Sequence, residues 1–297
     1  MFLNDLIFHC IFFDKYIKNP NDYLITSVLI NKNEFEQKIS TKKFINILFI
    51  YEPIKHFSKP GDNHEFAYKG LIENKFNIII GSINHNPKEG RYKFPLYLFS
   101  KGFDITNYKQ FAQTNNTVFN QNITSIKNKS FCTLINSWDP ANTRTCIYRK
   151  LLTINSNIVC PGKLFNNCSN IELDRIGKVK YIKNFIFNIC AENYDFNNVD
   201  GYITEKLMDC CLAGAIPIYA GWFDEYDEKI FNRNRIIFYN SQDNNSINNA
   251  FIKVKELIEN DDKLIQFYQQ PVFCETANDT IKLLLNCFLN KVNNKTE

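Results

Sequence analysis

Short apolar runs alternate with mixed polar segments along the whole chain, the pattern of strands buried on both faces and separated by helices. The runs at 23–29, 46–51, 77–80, 130–135, 185–190, 215–219 and 235–239 are the expected strands. Helical spacing of apolar positions predicts helices at 34–40, 143–153, 204–213, 246–259, 261–269 and 278–292. Strand and helix in alternation imply an α/β fold. The stretch 101–129 is rich in Asn, Thr and Gln and lacks a sustained apolar period. A boundary between two α/β domains, 1–128 and 129–297, is therefore expected there.

The 297 residues suffice for two such domains, and 44% hydrophobic residues with 27 Phe and 15 Tyr can fill their cores. Lys+Arg 35 against Asp+Glu 31 leaves a net charge of +4. That bias is too slight for nucleic acid to be the main ligand, so any attraction to anions has to be local. The ten cysteines form neither a Cys-x-x-Cys pair nor a Cys/His group at zinc spacing. Reduced, buried thiols in a cytoplasmic setting are expected, and no metal site. The apolar N-terminus carries Asp5, His9 and Asp14 and is shorter than the ~20 residues of a membrane span. A stripe of Ile281, Leu284, Leu285 and Phe288 suits docking on the first domain or, at most, peripheral attachment to a membrane surface.

Candidate chemistry concentrates in three places. Residues 187–193, 202–207 and 212–221 read as strand, loop, helix and strand, with a turn at Asp200-Gly201, a helix start near Thr204 and a stop at Gly214. Loops at the C-terminal ends of parallel strands are where such folds bind ligands. Lys206 falls in the first helical turn, where backbone N–H groups and the positive dipole end favour an anion such as a diphosphate. Glu205 beside it suits ribose hydroxyls better than phosphate. A second polar loop, 136–144, follows a buried strand and opens a helix, so Arg144 and Lys206 could grip one diphosphate. On spacing alone, each of these charges also fits an ordinary solvated or paired residue. Glu52 ends an apolar strand just before Pro53 and is the candidate general base. Asp224, Glu225, Asp227 and Glu228 read as solvated loop charges, and no Asp-x-Asp triplet occurs.

Together these segments resemble the family 10 glycosyltransferases, the α-1,3/1,4-fucosyltransferases, and most closely their short soluble bacterial members. The family pattern Phe-Glu-Asn, Tyr-(Ile/Val)-Thr-Glu-Lys and Ala-Gly-x-(Ile/Val)-Pro-(Ile/Val) matches Glu192-Asn193, 202–206 and 213–218. Weaker matches at Glu52-Pro53, 91–97 and 136–144 extend the resemblance over residues 23 to about 265. Four features depart from the pattern. Ala191 stands for the usual Phe, Asn136-Ser137 inverts the usual Ser-Asn, the loop 194–201 is longer, and much of the first βαβ unit is missing.

The resemblance implies a GT-B fold of two Rossmann-like domains facing each other across a cleft, the N-terminal, acceptor-side one shortened and the C-terminal one holding GDP-fucose. It implies a metal-independent, inverting enzyme that moves L-fucose from GDP-β-L-fucose to a hydroxyl of an oligosaccharide acceptor, GlcNAc in α-1,3 or α-1,4 linkage. Glu52 would be the base, Arg144 and Lys206 would hold the diphosphate, and Asn136, Asn193, Tyr202 and Glu205 would hold the rest of the donor. No cofactor beyond this donor substrate is implied. A GT-B transferase of another nucleotide sugar, or a non-catalytic carbohydrate-binding relative, remains the alternative.

Overall fold

The computed structural model describes residues 23–27, 37, 45–50, 76–94, 123–169, 175–194 and 201–293. The chain divides into two compact units. One comprises Met1–Phe99, Asn198–Tyr202 and Ile281–Glu297, the other Ser100–Asn197 and Ile203–Thr280. The units divide at 99/100, and the C-terminal segment joins the first unit. Packing accounts for that return, because the Phe288 ring lies 6.3 Å from Tyr92 and 6.1 Å from Phe94.

In the first unit β1 (Tyr23–Ser27), β2 (Ile45–Ile50), β3 (Ile78–Gly81) and β4 (Arg91–Lys93) pair in parallel and in sequential order. Ile47, Leu48, Ile78 and Ile80 are fully buried, as continuous apolar strands of a covered parallel sheet should be. Gly81 has φ +136, and a Cβ there would fall on the Ile50 carbonyl, so β2 and β3 can approach only with glycine at this position.

The second unit carries the larger sheet. Its elements are α1 (Ile123–Lys127), β5 (Ser130–Thr133), α2 (Thr145–Leu151), β6 (Ile158–Val159), α3 (Arg175–Ile182), β7 (Phe185–Ile189), α4 (Glu205–Ala213), β8 (Ile216–Tyr219), α5 (Asp227–Ile230), β9 (Ile237–Phe238), α6 (Asn244–Glu259) and α7 (Asp261–Tyr268). α8 (Ala277–Asn293) leads back to the first unit. The five strands are all parallel in the order β6-β5-β7-β8-β9. In the unit's own sequence this is 2-1-3-4-5, a doubly wound sheet whose order reverses between β5 and β7. Phe187, Ile189, Ile216 and Ile218 of the central strands are buried with Ile147 and Leu151 of α2 and Val254 and Leu257 of α6.

The α/β class and all seven expected strands are present, within a few residues of their expected ends. Five of the six expected helices are present as well; the helix expected at 34–40 lies outside the described residues apart from Gln37, which is helical. β4, β6, α3 and α5 come in addition, α5 taking in Asp227, which is buried rather than a solvated loop charge, and α1 occupies the end of the stretch expected to be irregular. The nine described cysteines are free. Burial pushes the Cys160 thiol up to about 11 and lifts Cys210 and Cys211 well above the ordinary range, which keeps them protonated and inert. Ile281, Leu284, Leu285 and Phe288 are buried. Among the described residues, no helix is long and apolar enough to cross a membrane.

Candidate active site

The order reversal puts the loops after β5 and β7 side by side at the C-terminal edge of the sheet, where an open α/β sheet leaves a crevice. Each loop contains a cation and a carboxylate from the sequence-derived segments.

After β5 the chain turns through Asp139, whose carboxylate organises the start of α2. Its Oδ2 accepts hydrogen bonds from the backbone N–H groups of Arg144 (3.1 Å) and Thr145 (2.7 Å) and from the Thr145 hydroxyl (2.7 Å). Those are N–H groups that a helix start leaves without internal partners. Arg144 then turns inward. Its Nη2 donates to the Ala191 carbonyl at 2.6 Å and to Asn193 Oδ1 at 2.9 Å, while Nη1 donates to the Trp138 carbonyl at 3.1 Å and lies 3.6 Å from Asp139. The side chain is 0% exposed, and its Nε is buried without a hydrogen-bond partner. Arg144, expected to hold a diphosphate, here directs both terminal nitrogens to the backbone and side chains of its own loop and of the loop after β7. The reason is chemical: its planar fork matches two carbonyls and an amide oxygen already converging there.

After β7, Glu192 is the centre of the second cluster. Its backbone is pinned on both sides, the N–H donating to the Ala220 carbonyl (2.8 Å) and the carbonyl accepting from Thr143 Oγ1 (2.8 Å). Its carboxylate, fully buried, accepts from Thr204 N–H (2.8 Å), the Thr204 hydroxyl (2.6 Å), Lys206 Nζ (3.2 Å) and, at the longest distance, Tyr219 OH (3.4 Å). Gly221 makes room for that phenol, since a Cβ there would fall on the Tyr219 ring. Thr204 is the N-cap residue of α4, yet its side chain makes no capping hydrogen bond to the helix. The hydroxyl is committed to Glu192 and to Lys206, whose Nζ donates to it at 2.7 Å. Glu205 Oε1 lies 3.8 Å from Lys206 Nζ. At the other end of α4, Gly214 takes the left-handed conformation (φ 74) that stops the helix, as expected.

The sequence-derived residues therefore fall into three groups. Arg144, Asn193, Glu205 and Lys206 converge on the segment 191–193 and the first turn of α4. Asn136 lies further along the same edge, half-buried, its carbonyl accepting from Leu164 N–H (3.0 Å) in the loop after β6. Tyr202 is buried and groups with the first unit, and Glu52 lies outside the described residues. Two charged groups central to this geometry had no role assigned from sequence, Glu192 and Asp139. A carboxylate directly after a fully buried strand is itself a signal, because it has to find donors. The cluster holds two cations, Arg144 and Lys206, against three carboxylates, Asp139, Glu192 and Glu205, so it carries no excess positive charge. Among the described residues there is no group of three or more His, Cys, Asp or Glu that could hold a metal ion.

Residues 124–279 match the family model described as glycosyltransferase family 10 (fucosyltransferase), C-terminal part. No curated protein matches the sequence. Among solved structures, the chain is similar to an α1,3-fucosyltransferase with GDP-fucose, at TM-score 0.57 and 16% identity over 93% of this chain and 91% of that one. The same values of TM-score and identity relate it to an α1,3-fucosyltransferase with GDP, over 91% of this chain and 89% of that one. At this identity the likeness shows the fold, an α/β fold of the GT-B type.

Proposed function

Since the chain belongs to glycosyltransferase family 10, the fucosyltransferases, we propose that it moves L-fucose from GDP-β-L-fucose to a hydroxyl of a glycan acceptor, with inversion at the sugar. The observation that carries this reading is the convergence of Lys206, Glu205, Asn193 and the uncapped start of α4 at the point where the sheet order reverses. Family membership narrows the anion favoured there to the diphosphate of a nucleotide sugar. The GDP-fucose and GDP complexes of the structurally similar α1,3-fucosyltransferase support GDP-fucose in particular.

In this mechanism the acceptor oxygen attacks the anomeric carbon while its proton passes to Glu52, and the bond from that carbon to the diphosphate oxygen breaks. Negative charge grows on the leaving diphosphate. Lys206 and the N–H groups of the first turn of α4 stabilise that charge more in the transition state than in the ground state, and this difference is what accelerates the reaction. Glu205 accepts from ribose hydroxyls, and Asn193, Tyr202 and Asn136 orient the remainder of the donor. Arg144 serves the donor through the 191–193 backbone it clamps. The acceptor is GlcNAc in α-1,3 or α-1,4 linkage.

The deciding experiment is mass-spectrometric detection of fucosylated product from GDP-fucose and a panel of acceptor glycans. A protein that turns over a different nucleotide sugar, or binds glycans without transfer, would replace this reading. Glu52→Gln should lower kcat by ~10²–10⁴-fold with GDP-fucose affinity near that of the unaltered protein. Transfer should persist in excess EDTA; loss restored by Mn²⁺ would assign the leaving-group charge to a metal.

A further inference from the structure

The charge balance of the site leads to a role for Glu192 that rests on the donor-site reading and refines it. Lys206 does not wait for a ligand as a bare cation: Glu192 Oε2 lies 3.2 Å from its ammonium, and that carboxylate is 0% exposed. The two partners differ in freedom. Glu192 is held by two backbone hydrogen bonds and by Thr204 and Tyr219 as well as by Lys206. Lys206 hangs on a flexible stem with 13% of its side chain exposed and can turn toward a ligand, whereas Glu192 cannot follow or withdraw.

We propose that Glu192 is the fixed counter-charge of the donor site, a positioning residue that holds Lys206 in place and keeps its charge half-spent while a nucleoside diphosphate is bound. A cation already partly offset attracts the ground-state donor and the released diphosphate only moderately. It responds most when the leaving group gains charge, because the diphosphate then competes better with the fixed carboxylate. Glu192 thereby limits product retention, and it also places the Lys206 ammonium over the first turn of α4.

The test is a double-mutant cycle on Glu192→Gln and Lys206→Met, read by calorimetric GDP titration, steady-state kinetics and ligand-free thermal unfolding. Glu192→Gln should tighten GDP binding several-fold while lowering kcat, a split that a merely structural role would not produce. Lys206→Met leaves the buried carboxylate facing the diphosphate and should weaken GDP binding by more than tenfold. The double variant should recover most of that loss. If Glu192→Gln proves too unstable to titrate, Glu192→Asp retains the charge, and it should keep GDP affinity near that of the unaltered protein with reduced kcat. Weaker GDP binding in Glu192→Gln, or losses that simply add in the double variant, would overturn the proposal while leaving the donor site where it is. An unaltered protein that fails to bind GDP would overturn the donor-site reading, and this proposal with it.

Discussion

The loops after β5 and β7 each pair one cation with one buried carboxylate, yet they use the pair differently. In the first, Arg144 is sealed from solvent and spends its donors on the carbonyls of Trp138 and Ala191 and on Asn193. In the second, Lys206 keeps a solvent-facing edge and meets Glu192, Thr204 and Glu205, all within fifteen residues of it in sequence. The same pair of charges thus ties two loops together in one place and leaves a cation at the surface in the other. Two cations at one sheet edge do not by themselves make a diphosphate grip; what separates the roles is which of them the backbone has already consumed.

The contrast is most exposed to failure at Arg144. Arg144→Met strips a buried carboxylate of its ion-pair partner and leaves the Ala191 carbonyl unpaired, so it should cost about 3–5 kcal/mol of stability. Urea unfolding measures this; a loss below 1 kcal/mol, with donor affinity falling instead, would make Arg144 a ligand contact after all. Lys206→Met should do the reverse, with donor binding weakened by about 1.5–3 kcal/mol and a smaller change in unfolding, because the three other donors to Glu192 remain. Calorimetry beside urea unfolding of the same sample separates the two effects. The smallest effect belongs to the residue that joins the loops. Thr143 Oγ1 lies 2.8 Å from the Glu192 carbonyl and 3.1 Å from Asp139 Oδ1. Thr143→Val keeps the shape and removes that link, and should lower stability and donor affinity together by about 1 kcal/mol each. Movement of only one of them would show that the loops are independent.

How far the sequence reveals this arrangement depends on the range of the interactions. β7, α4 and β8 were legible because an apolar run, a glycine stop and a second apolar run are local signals. β6 and β4 have two and three residues, too few to display a period, and α3 (RIGKVKYI) carries Gly177 and three basic residues in place of an apolar stripe. Glu205 and Lys206 were legible together, since they sit at a recognisable helix start. The inward turn of Arg144 was not, because its partners Ala191 and Asn193 lie 47 and 49 positions away and only the sheet order brings them near. Glu192 was visible in its motif but had no assigned role for the same reason, with Thr204 and Tyr219 at separations of 12 and 27.

Gly221 carries the site's geometry into the chain's capacity to vary. Any side chain at this position competes with the Tyr219 phenol for one volume, and the phenol is fully buried against the rings of Phe223 and Phe238 with nowhere to retreat. A single methyl group at 221 would push the phenol toward Glu192 or off it, and so disturb a charge pair it never touches. In a saturation library selected for transfer activity, position 221 should therefore be as intolerant as the charged residues themselves, while its exposed neighbour Trp222 varies far more freely. Constraint in this protein follows the space that a ring needs as closely as it follows chemistry.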